Sequence, residues 1–155
     1  MRFHQAWVLV SALAACAPSQ VPAREVSEVA RDFNLATRFG RMDVAAERIS
    51  DELRPKFFES RANWGADVRV LDVELAKLDV PDSENAEVFV DVSWVRMDEN
   101  LLRSTRIRQN WANPGGGWQL SAEQRVAGDV GLLGEQVTVL RPESHDAHFP
   151  TKTIR

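Results

Sequence analysis

Few residue types in this chain can do chemistry: there is one Cys, there are three His, and there is no Tyr among 155 residues. With Cys16 as the only thiol, no internal disulfide and no multi-cysteine zinc or iron–sulfur centre can form. His145-Asp146-Ala147-His148 has the residue types to bind zinc or copper weakly. It lies between Pro142 and Pro150, without periodicity and without neighbours to orient its ligands, so it reads as tail. No metal and no other cofactor is expected. Gly128-Asp129-Val130-Gly131-Leu132-Leu133-Gly134 has the glycines of a phosphate loop but neither its closing Lys-Ser/Thr nor a clear helix after it. It reads as a loop whose leucines dock onto the core. No Ser–His–Asp set stands in recognisable context. The remaining candidates are the carboxylates Asp72, Glu74 and Asp91 and the polar groups Thr105 and Gln109, whose roles depend on which face of a sheet they occupy.

Arg2 is the only cationic side chain before Arg24, and the ten apolar or small residues Ala6 to Ala15 follow it. That run is too short to span a hydrocarbon core of about 30 Å. A basic start, a short apolar middle and small residues at the end describe a secretory signal. Leu13-Ala14-Ala15-Cys16 resembles the lipobox of bacterial lipoproteins. The resemblance implies that the chain is cut between Ala15 and Cys16, removing residues 1–15. It implies that the Cys16 sulfur carries a diacylglyceryl group and that the freed amine is acylated. Two or more acyl chains anchor stably, at about 0.8 kcal/mol per buried methylene, whereas one is marginal. The next residue is Ala17 rather than Asp, which in enteric-type bacteria implies the periplasmic face of the outer membrane.

The rest of the chain must position whatever acts. A composition of 44% apolar and 27% charged residues is that of a soluble globular domain, and the length suits one. A net charge of −4 argues against a nucleic-acid surface. Residues 16–23, with Pro18, Ser19 and Pro22, read as the lipidated Cys and a tether. A helix is expected from about Pro22–Arg24, because Val26, Val29, Ala30, Phe33, Ala36 and Thr37 recur at three- and four-residue spacing. Gly40 would close it. Met42 to Ile49 suggests a second short helix. Ser50 and Pro55 open a third segment carrying Phe57 and Phe58, and Asn63-Trp64-Gly65 stops it.

From Asp67 the period becomes two. Four strands are expected at about 68–78, 86–97, 101–112 and 117–127, joined by turns at 81–85, 98–100 and 113–117, so neighbours should be antiparallel. Residues 128–155 read as loop and tail, with a short fifth strand suggested at 136–140. Alternation sorts two faces. The apolar one carries Leu71, Val73 and Leu75; Val88, Val90, Val92 and Trp94; Thr105, Ile107, Gln109 and Trp111; and Trp118, Leu120 and Ala122. The polar one carries Asp72, Glu74, Asp91, Ser93, Arg106, Arg108, Asn110, Ser121, Glu123 and Arg125. The apolar face must be covered, and only the N-terminal helices can cover it. The expected fold is α+β, with N-terminal helices packed on a curved antiparallel sheet of about four strands.

This order of elements over residues 24–127, the segment Asp51-Glu52-Leu53-Arg54-Pro55 before the sheet, and strands ending in Trp94, Trp111 and Trp118 resemble the nuclear transport factor 2-like family. The resemblance implies a cystatin-like roll, reduced here because no hairpin separates the helices. That family includes isomerase- and cyclase-like enzymes as well as non-catalytic binding modules. An isomerase needs a base in the cone between helix and sheet and a donor aimed at the oxyanion. The chain has no Tyr, and the inner face as sorted offers only Thr105 and Gln109. The expected function is therefore a lipid-anchored, non-catalytic binding or assembly module. Its partners would be the membrane, through the lipid, and an envelope protein, and the sheet face could serve a homodimer. The alternative is a small-molecule binder or isomerase-like enzyme with a cavity lined by Trp94, Thr105, Gln109, Trp111 and Trp118. Outer-face charges should pair across strands.

Overall fold

The computed structural model of the chain describes residues 20–99 and 101–136. The expected signal peptide, Cys16, the His145–His148 cluster and all of the 136–140 segment except Gln136 lie outside the described residues. Helices α1 (Gln20–Arg38), α2 (Met42–Ala46) and α3 (Arg54–Ser60) precede strands β1 (Val68–Asp79), β2 (Asn85–Arg96), β3 (Leu102–Ala112) and β4 (Gln119–Gly128). The strands form one antiparallel meander in the order β1-β2-β3-β4. The fold is α+β, as the two hydrophobic periods require.

α1 begins at Gln20, so residues 20–23 belong to the helix and not to the tether. Pro22 sits in its first turn, where a missing N–H leaves no helical bond unmade. The apolar stripe of α1 is buried at Val26, Ala30, Phe33, Ala36 and Thr37. Gly40 ends the helix at φ 70°. Its N–H donates to the Thr37 carbonyl and that of Arg41 to the Ala36 carbonyl, the paired closure that a left-handed residue permits. Ile49 falls outside α2 and instead bridges Leu120 on β4. Ser50 opens the turn before α3, its carbonyl accepting from Leu53 and Arg54, but the N-cap of α3 is Leu53, without a side-chain cap bond, and Pro55 lies in the first turn of α3.

The two central strands keep strict alternation: Ala86, Val88, Val90, Val92 and Trp94 on β2, and Thr105, Ile107, Gln109 and Trp111 on β3, are buried. The edge strands do not. β1 carries an unpaired extra residue at Leu71 and another at Ala76; β4 carries them at Ser121 and Val126. Each bulge resets which side the next residues face. Leu71, expected inside, is therefore exposed, and Val70, Val73, Leu75 and Leu78 line the helix side. Ala122, also expected inside, pairs with Asn110 on the outer face. Glu123 and Arg125, expected outside, stand opposite the inward Gln109 and Ile107; the Glu123 side chain is buried against Arg61, whereas Arg125 stays exposed and turns to Glu135.

The folded unit continues past residue 127. Leu132 is fully buried, Leu133 packs on the core, and Trp64 Nε1 donates to the Leu132 carbonyl at 2.8 Å. Gly128 makes this return possible. It adopts φ 82°, and a Cβ there would overlap the Ser104 carbonyl and lie 2.9 Å from Thr105 Cα. Gly128→Ala is expected to destabilise the protein by about 2 kcal/mol, from backbone strain and steric overlap together. Urea unfolding followed by tryptophan fluorescence would measure the loss.

Candidate functional site

The space between α1 and the sheet is the place to look for a site, and over the central strands it is filled; toward the β1 edge an opening of about 370 Å³ remains between Ser27, Arg31 and Leu35 of α1 and Val73, Glu74 and Leu75 of β1. Phe33, Trp94, Ile107 and Trp111 are each at most 2% exposed, and Phe33 meets Trp111 edge-on at 5.5 Å between ring centroids. The five residues expected to line a cavity, Trp94, Thr105, Gln109, Trp111 and Trp118, are all 3% exposed or less. A ligand-sized hollow beneath the helix would leave some of that surface accessible. These side chains are core.

Inside that core runs a polar chain that alternation alone did not reveal. Asn34 of α1 and Gln109 of β3 pair through their amides: Asn34 Nδ2 donates to Gln109 Oε1 at 3.0 Å and Gln109 Nε2 donates to Asn34 Oδ1 at 2.9 Å. The spare Asn34 proton goes to the Ala30 carbonyl at 2.7 Å. The spare Gln109 proton goes to Glu123 Oε1 at 3.0 Å. Arg61, just past α3, donates from its terminal NH2 to Glu123 Oε2 at 2.6 Å. The Arg61 and Glu123 side chains are 3% and 6% exposed. The Arg61 guanidinium lies over Phe57 at 4.1 Å and near Trp64 at 4.9 Å, with its other terminal nitrogen on Ser60 Oγ. One network thus ties α1, β3, β4 and the end of α3.

Glu123 changes the chemical inventory of the inner face, which has a carboxylate after all. Both its oxygens accept charged or amide donors. The neighbouring space, lined by Leu53, Lys56, Phe57, Ser60 and Leu133, is about 40 Å³. That volume suits a water or two and no organic substrate. The arrangement neutralises a buried charge. A general base at this position would first have to give up its arginine.

A second internal chain closes the far end of the sheet. Trp94 Nε1 donates to Thr105 Oγ1 at 2.9 Å, and Thr105 donates to the Asp129 carbonyl at 2.7 Å. On the outer face Asp91 accepts two bonds from Arg106, at 2.7 and 2.6 Å. Arg106 holds the Asp91 carboxyl below the usual range through those hydrogen bonds, against a weaker push from burial and with added charge attraction. Asp72 pairs with Arg38 of α1 at 2.9 Å rather than across strands. Arg125 turns to Glu135 at 3.0 Å. Among the described residues no group of three or more His, Cys, Asp or Glu is placed to hold a metal ion, and no helix is long and apolar enough to cross a membrane.

Two signals for the missed residues were present in the sequence. Asn34 lies four residues after Ala30 on the apolar stripe, and an inward Gln109 demands partners. The bulge that brings Glu123 inward left no comparable mark.

No protein-family model and no curated protein sequence matches the chain. The solution structure of a SEC-C motif containing protein from Rhodopseudomonas palustris resembles it with a TM-score of 0.55 at 17% identity, covering 64% of this chain and 77% of that one. At that identity the likeness speaks to the fold alone.

Two outcomes follow from this geometry. Glu123→Leu is expected to cost about 3 kcal/mol, because it strands a buried guanidinium, while the double variant with Arg61→Met should cost clearly less than the two single changes added. A double-mutant cycle in urea reads this directly. Glu135 supplies a pH test. Burial pushes its carboxyl up, but hydrogen bonds from its own amide and those of Leu133 and Gly131, with Arg125, pull it below the usual range. A depressed carboxylate contributes stability above its unfolded value, about 4.3, and loses it as pH falls through the lower folded value. The Gly131 and Leu133 amide resonances should titrate below that range, and Glu135→Gln should abolish the titration.

Proposed function

We propose that the chain is a lipid-anchored lipoprotein of the bacterial envelope whose helix-and-sheet domain works as a non-catalytic binding or assembly module. The observation that carries this reading is Leu13-Ala14-Ala15-Cys16, which ends a short apolar run and contains the only cysteine. The interior of the domain supports the second half of it. The space between α1 and the central strands is packed with aromatic and aliphatic side chains, and the inward carboxylate of Glu123 is taken up by Arg61 and Gln109. The lipid would hold the domain at the periplasmic face of the outer membrane and raise its effective concentration for a partner in the same envelope. An isomerase-like reading draws on Glu123, and it would need that carboxylate released from Arg61 and opened to a substrate.

Cys16→Ser is expected to abolish incorporation of labelled palmitate and to leave the precursor uncut before residue 16. Cross-linking in intact envelopes should capture a protein partner with the lipidated chain and lose it with the variant. Normal processing and membrane fractionation of the variant would overturn the anchor. Failure to capture any protein with the lipidated chain would overturn the assembly role.

A further inference from the structure

We propose that a cleft at the C-terminal end of α1 binds a small amphipathic carboxylate, one anionic group on an apolar body. The cleft lies between the end of α1, the turn into α2, the turns after α3 and the start of β1, and its volume is about 370 Å³. That falls within the roughly 300–1,000 Å³ of small-molecule sites. Arg38, Arg61 and Arg69 bring three cations to its walls, and Trp64, Met42 and Val70 supply apolar surface. Neither Asp nor Glu lines it.

Two of the cations are already answered. Arg38 lies 2.9 Å from Asp72, and Arg61 lies 2.6 Å from Glu123. Arg69 is exposed and makes no ion pair among the described residues, so the cleft keeps one positive charge in excess. Arg61 also has a buried Nε–H with no acceptor. A buried donor left unpaired costs free energy until an acceptor reaches it. An arriving carboxylate would meet Arg69 first and could extend toward Arg61, while its apolar body covers Trp64, Met42 and Val70. This deepens the binding-module reading by naming a ligand class, and it does not depend on the lipid.

The test is a titration of the isotope-labelled full chain with 3-phenylpropionate, followed at the amides of Gly40 and Gly65, which also border the cleft. Saturable shifts of both resonances are expected. 3-Phenylpropanol, which lacks the charge, and acetate, which lacks the apolar body, should each bind about tenfold more weakly or less. Arg69→Gln should weaken 3-phenylpropionate about tenfold without changing the urea midpoint, and Arg69→Lys should restore much of the loss. Absent shifts, an alcohol that binds as well as the acid, or an unchanged affinity in Arg69→Gln would each overturn the proposal. A captured envelope partner alongside any of those results would leave the binding-module reading standing without this cleft.

Discussion

The ion pair between Arg61 and Glu123 governs how this small domain is built. Two charges removed from water are tolerable only when they meet each other and when their remaining hydrogen-bonding capacity is nearly filled. Filling it recruits Gln109 from the central sheet and, through Gln109, Asn34 from the long helix. It also places the guanidinium against Phe57 and Trp64. Apolar packing alone would let the helix slide over the sheet at modest cost. A chain of directional bonds running helix to strand to strand to turn permits one seating. The hydrophobic side chains supply most of the driving force, and the polar chain selects the arrangement.

Much of this architecture could be read from the residues. The shift of period at Asp67 marks the passage from helices to strands, and the three turn compositions separate four strands within one or two residues of where they run. Strict alternation sorted the central strands without error, because a strand paired on both sides has no freedom to slip. It failed on the edge strands, and for a physical reason. An edge strand has one ladder to satisfy, so it can accept an extra residue where curvature demands it. Leu71 and Ala122 thereby move out, and Glu123 moves in. Nothing in the spelling of Leu120-Ser121-Ala122-Glu123 announces the bulge. The clue lay across the sheet, where an inward glutamine required an answering group.

The filled interior moves attention from the cone to the periphery. Trp94, Trp111 and Trp118, which close the sheet, serve as ballast for packing. Among the openings around the domain is the seam where α1 ends and β1 begins, where arginines outnumber their partners. A fold whose interior is settled by polar registration can carry recognition at such a seam without endangering its own stability, because an exposed cation there can be exchanged at little cost.

The four bulges have a further consequence. An open meander ends in two rims of amide groups, and such rims are where sheets from different molecules fuse end to end. Here both rims are broken twice, and the β4 rim is partly occupied by the chain itself, through the Ser50 amide on the Leu120 carbonyl and the Leu120 amide on the Arg48 carbonyl. The kinks that turn Glu123 inward therefore also spoil the template for runaway polymerisation, so the same irregularities that shape the core guard the protein against cross-β growth at high local density.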